Sequence, residues 1–188
     1  MIYSFETELL IFRLKSFYMH LHLTKDEYNN YYQTYIDEVK FSDLIEGLVQ
    51  GKKEFNDFIL NIPDNKLHYK YAQDKWTVAE VILHLIDAER IFAYRALRIA
   101  RNDLTPLPGF DQDDYVPGSN AIKYTKLQLL REYNTVRESS ITLFEGLSDN
   151  TLKNLGTASN SPVSVRAIGY ILAGHEKHHI NIITTRYL

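Results

Sequence analysis

His175 and His179 stand four residues apart in a segment of helical periodicity, a spacing that stacks two imidazoles on one face of a helix, close enough to share an ion. His178 forms a second pair with His175 at three residues, and spacing alone does not choose between the two. His84 lies beside the apolar stripe of another helix-forming segment. It is the natural third ligand, because bundles build metal sites between facing helices. Three neutral imidazoles suit zinc, nickel, iron or another borderline first-row ion better than calcium or magnesium, which prefer oxygen. Three protein ligands also leave a coordination position open, as catalysis requires. The same pattern is equally what core histidines bonded to backbone or tyrosine would show. His20, His22 and His68 fall in poorly patterned segments and read as solvated.

The composition narrows the chemistry. No cysteine is present among the 188 residues, which removes disulfides, thiolate nucleophiles and cysteine-based zinc or iron–sulfur sites. Any metal must therefore rest on His, Asp or Glu. The net charge of -3 comes from 21 basic and 24 acidic residues mixed along the chain, so there is no basic stripe for a phosphate backbone and nucleic acid is not an expected partner. Near the N-terminus the longest apolar run is Leu9 to Phe12, flanked by Glu6, Glu8, Arg13 and Lys15. That is neither a signal peptide nor a membrane span, and the expectation is a soluble cytoplasmic protein of one domain with no membrane partner.

Four long segments must position the histidines. A helix begins at Phe41, with Ser42 as N-cap, runs along Leu44, Ile45, Leu48, Val49, Phe55, Phe58 and Ile59, and stops at Pro63. Thr77 and Glu80 fit a capping box that opens a second helix reaching Arg101, with Val81, Leu85, Ala88 and Phe92 as its buried stripe. Residues 102–122 hold Pro106, Pro108, Gly109, Pro117 and Gly118, a long loop of the kind that crosses over a site. A third helix starts near Thr125 and ends near Gly146, and Ser148 to Ser161 reads as loop. The last helix starts near Ser164 and turns Ile168, Ile171, Leu172, His175, His179 and Ile182 to one face. Thr24 and Glu27 suggest one more capping box, four tyrosines crowd Tyr28 to Tyr35, and no alternation is long enough for a sheet. The fold class is all-α, a four-helix bundle with a long Pro/Gly-containing crossing loop.

The segment from Lys75 through Trp76, Thr77, Glu80 and His84 to Arg90, the stretch Leu107 to Asp111, and the late Gly174-His175-Glu176-Lys177-His178-His179 together resemble the DinB/YfiT-like superfamily. The resemblance spans about Glu27 to Leu188. It implies a DinB-like domain over residues 24–188; residues 1–23 lie outside it and read as an N-terminal extension of poor anchorage or partly a start-site artefact. It further implies an up-down-down-up helix order and a homodimer. Its three-histidine pattern, one His from the second helix and an i, i+4 pair from the last, selects His84, His175 and His179 and leaves His178 as a neighbour.

Members of that superfamily with known activity include metal-dependent transferases and isomerases that use a low-molecular-weight thiol, and others resemble metal-dependent hydrolases. The resemblance thus implies a divalent ion and a small-molecule substrate. Asp87, one turn after His84, and Glu176, beside His175, are the candidate catalytic carboxylates, although on an ideal helix Glu176 points about 100° away from its neighbour. Glu80 is better explained by its cap, and Trp76 by a core anchor. Arg90, Tyr94 and Arg95 could bind an anionic substrate group, and Phe110, Asp111, Asp113 and Asp114 could cover the metal mouth. Three readings stay open: a thiol transferase, a hydrolase and a non-catalytic metal-binding module.

Overall fold

The computed structural model describes residues 23–41 and 43–188. The expectation for the N-terminal extension, including Leu9 and Phe12, and the one for Ser42 lie outside the described residues. The elements run in the order α1 Gln33–Asp37, α2 Leu44–Asn61, α3 Val78–Ala100, α4 Gln112–Tyr115, α5 Lys126–Glu145, α6 Asp149–Leu152, β1 Leu155–Ala158, β2 Ser161–Ser164 and α7 Val165–Arg186. No helix among the described residues is long and apolar enough to cross a membrane.

Each bundle helix starts where a side chain can take an orphan backbone N–H. Asp43 caps α2 by accepting from the Glu46 amide, one residue after the serine the pattern favours. Thr77 and Glu80 form both halves of the capping box of α3. Thr125 with Gln128 does the same for α5, and Ser164 accepts from the Ala167 amide at the start of α7. Pro63, having no N–H to donate, follows the last turn of α2.

Side-chain contacts fix the direction of each helix. Lys126 reaches the Ile62 carbonyl, Asn56 bonds Asn134, and Lys52 pairs with Glu138, so α2 and α5 are antiparallel. Leu44 packs at Gly169 and Gly51 at Glu176, so α2 and α7 are parallel. His84 meets His175 while Trp76 accepts from Tyr187, so α3 opposes α7. The order is up-down-down-up. The middle two helices are then parallel neighbours, and residues 101–125 must carry the chain back along the bundle.

The apolar interior falls into two clusters, one around Leu48, Phe92, Phe144 and Ile168 and the other around Phe55, Ile82, Leu129 and Ile183. Between them, at one level of the bundle, lies a buried polar layer. Arg137 donates to both oxygens of Glu89 at 2.8 Å and pairs with Glu176 at 2.9 Å, and Glu176 also accepts from Tyr133 at 2.5 Å. Gly51 leaves room for the Glu176 carboxylate: a Cβ there would sit 2.8 Å from its oxygen.

Two local expectations give way. The polar run 148–161 holds the short helix α6 and leads into an antiparallel hairpin, β1 against β2, which turns through Ser159 and Asn160 at φ 50° and 59°. Both turn residues are left-handed, the geometry that suits the twist of a two-residue hairpin. Leu107 adds a short bridge to this hairpin, which anchors the long loop over the bundle. Thr24 and Glu27 do bond to each other, yet no helix begins there. Glu27 instead accepts from Arg166 and Ser164 at the start of α7, tying the chain ahead of α1 to that end of the bundle.

Candidate metal centre

His84 comes from the second turn of α3 and His175 with His179 from the middle of α7, which the antiparallel packing brings face to face. The Nε2 atoms of His84 and His175 are 3.1 Å apart and those of His175 and His179 are 3.0 Å apart. One ligand atom from each of the three lies within 4.8 Å of the others. With metal–nitrogen bonds of about 2.1 Å, two imidazoles at roughly 90–110° on one ion stand about 3.0–3.4 Å apart, so the trio could hold a single ion with little movement.

The electrostatics favour ligand-competent rings. Burial pushes His84 down to about 4 and His179 to about 3, and it lowers His175 well below the ordinary range, with the neighbouring histidines adding to the effect. All three are therefore neutral near pH 7 and carry a free lone pair. Hydrogen bonding within the trio cannot satisfy every nitrogen, because in either tautomer His175 Nε2 has one proton or one lone pair and faces two other ring nitrogens. A cation would take all three. His179 Nδ1 is buried without a hydrogen-bond partner among the described residues. Rings brace the site, Trp76 at 5.0 Å from His84 and Tyr35 at 5.0 Å from His175. His178 stacks edge-on to His179 and against Tyr35, outside the set of three.

The carboxylates singled out from sequence do not join the trio. Glu176 points into the layer with Arg137 and Tyr133, on the other side of α7. Asp87 bonds Arg90 and shares a cleft with His84, Glu80 and Phe110, where burial raises its carboxyl above the usual range against the pull of Arg90. Glu80 is held by its cap on Thr77. His68 is exposed.

A cavity of about 570 Å³ opens onto His84 and His175. Tyr31, Tyr32, Tyr35 and Phe92 form aromatic walls, and Gly109, Phe110 and Gln112 of the long loop complete the lining. Of the three side chains expected to bind an anion, Arg90 is engaged by Asp87 and Glu132, Tyr94 is exposed, and Arg95 alone lines the cavity. Asp111 stands at the rim, where it accepts from the Asp113 amide to cap α4. The buried Arg137 layer gave one faint signal in the sequence: Glu89, Arg137 and Glu176 occupy positions next to apolar stripe residues.

The family profile described as DinB superfamily matches residues 48–183. The chain belongs to the DinB superfamily. Two solved structures of Bacillus subtilis share the fold of this DinB chain. One is YfiT, titled a probable metal-dependent hydrolase with an unusual four-helix bundle topology, at 17% identity over 87% of this chain and 90% of that one, with a TM-score of 0.64. The other is a DinB-like protein, YjoA, at 18% identity over 75% of this chain and 86% of that one, with a TM-score of 0.53. At such identities the likeness of these DinB proteins is one of fold. Among curated proteins none matches.

Proposed function

We propose that this DinB protein is a metal-dependent enzyme in which His84, His175 and His179 hold one divalent transition-metal ion and a low-molecular-weight thiol serves as nucleophile toward a small-molecule substrate. The observation that carries the reading is the convergence of three Nε2 atoms from neutral imidazoles, with two of the three rings, His84 and His175, lining a roomy cavity. When bound, such an ion supplies Lewis-acid activation, lowering the pKa of a thiol or water by several units. The chain supplies the rest. Tyr35 and Trp76 fix the imidazole planes, while Tyr32, Phe92 and Phe110 line a wall that holds an apolar substrate body away from water. A thiol route needs room and a cationic or amide donor near the ring nitrogens, and it needs no carboxylate in contact with them. The cavity has that room, the amide of Gln112 lines it together with His84, and Glu176 is committed to Arg137.

Hydrolysis is the second reading. It is favoured by Asp87, the carboxylate that shares a cleft with His84, and by the printed description of YfiT as a probable metal-dependent hydrolase. Zinc-loaded protein given a panel of small thiols with 1-chloro-2,4-dinitrobenzene, and p-nitrophenyl acetate without thiol, separates the two. Thiol consumption that requires both zinc and His84 supports transfer. Thiol-independent ester cleavage that is lost in Asp87→Asn would replace transfer by hydrolysis.

A further inference from the structure

Arg137 and Arg95 are the two arginines most fully buried among the described residues, and they differ in what opposes their charge. Arg137 has Glu89 and Glu176. Arg95, at 3% exposure, has no carboxylate of a described residue within ion-pair distance. Its Nη2 donates to the Pro108 carbonyl at 2.7 Å and to Ser159 Oγ at 3.1 Å, and its guanidinium lies against the rings of Phe92 and Phe110. These contacts orient the group without neutralising it. A cation taken out of water with no opposing charge is costly, and burial lowers its pKa while the Tyr32 hydroxyl works the other way.

The groups that hold Arg95 are themselves built at some cost. Ser159 sits at φ 50° in the hairpin turn, a left-handed conformation uncommon for serine, and its side chain packs on Gly109 while accepting from Arg95.

Arg95 follows His84 by three helical turns, so His84, Ala88, Phe92 and Arg95 make one stripe down the cavity, roughly 16 Å along the axis. We propose that Arg95 is an anion subsite and that this cavity takes an elongated small molecule carrying a carboxylate at the end remote from the three histidines. The proposal rests on reading the cavity as the reaction site. A planar, singly charged carboxylate matches the guanidinium fork. Asp111, an exposed residue that also lines this cavity, accepts from the Asp113 amide as the cap of α4.

Calorimetric titration of metal-free and zinc-loaded protein with 3-phenylpropionate and with its neutral amide tests this. The acid is expected to bind at least tenfold tighter than the amide in both forms. That preference should vanish in Arg95→Met, persist in part in Arg95→Lys and weaken in Ser159→Ala, with thermal melts confirming that each variant folds. Equal binding of acid and amide, binding of neither, or a preference that survives Arg95→Met would overturn the subsite. Because the metal-free arm does not involve the histidine trio, a protein that takes up no zinc yet prefers the acid through Arg95 overturns the metal reading alone. Titration with 11-mercaptoundecanoate and undecanoate then shows which reactant carries the anion. Tightening by zinc of the first alone assigns it to the thiol, and no difference assigns it to the second substrate.

Discussion

The backbone carbonyl of Tyr35 lies so close to the Cα of Gly174 that a Cβ at position 174 would overlap it. The absent side chain lets α1 dock on α7 one residue before His175, and it places the Tyr35 ring 5.0 Å from the His175 imidazole. Gly174 thus meets a requirement of close approach and not of backbone conformation.

Gly174→Ala should push α1 off the bundle and cost about 1–3 kcal/mol, the usual range for overpacking. A thermal melt shows the loss, and limited proteolysis should then cut within residues 33–41. A melt and a digest identical to wild type would contradict the docking.

The buried layer predicts a separation between stability and metal uptake. Arg137→Ala strands Glu89 and Glu176 together and should cost about 3–5 kcal/mol in urea unfolding, while Glu176→Gln keeps the shape and should cost about 1–3 kcal/mol. Neither change should alter metal stoichiometry. A Glu176→Gln protein with wild-type stability and lost turnover would instead restore a catalytic role to that carboxylate.

Acid should weaken the tie between the chain ahead of α1 and the start of α7. Burial alone would raise Glu27, but its bonds from Arg166, Thr24 and Ser164 outweigh that and bring it down to about 2. A carboxyl whose folded pKa is depressed contributes stability that is present above its ordinary value near 4.5 and is lost as pH falls toward 2. Wild type should thus lose stability between about pH 5 and pH 2, and Glu27→Gln should lose less over that window. Parallel pH curves for the two proteins would rule this tie out.

Metal should stabilise the fold. If the ion binds the folded trio and not the unfolded chain, zinc at 100 times its dissociation constant adds about 2.7 kcal/mol, read as a rise in the melting temperature that a chelator reverses. A melting temperature indifferent to zinc, nickel and iron would count against the site.

What sequence could reveal tracks how local each signal is. The capping boxes at Thr77 and Thr125 and the cap at Ser164 involve residues within one turn, so the starts of three bundle helices were readable. His84, His175 and His179 could be grouped by spacing and family pattern, and the antiparallel crossing of α3 and α7 brings them together. The hairpin was hidden because β1 is only Leu155 to Ala158 and its turn uses serine and asparagine instead of glycine. Thr24 and Glu27 matched a helix start, but Glu27 is claimed by Arg166, whose partner no local pattern can show. Sequence could group Arg95 only loosely with Arg90 and Tyr94, and could not single out Arg137, for the same reason: their burial depends on residues from other elements.

The central claim is that three imidazoles hold one ion, and metal content by elemental analysis tests it most directly. Wild-type protein and His178→Ala should each carry about one equivalent of a transition metal after exposure to zinc, nickel or iron and desalting, while His84→Ala and His179→Ala, still folded by circular dichroism, should carry none. A wild-type protein that stays metal-free, or a His84→Ala variant that keeps its full equivalent, would contradict the account.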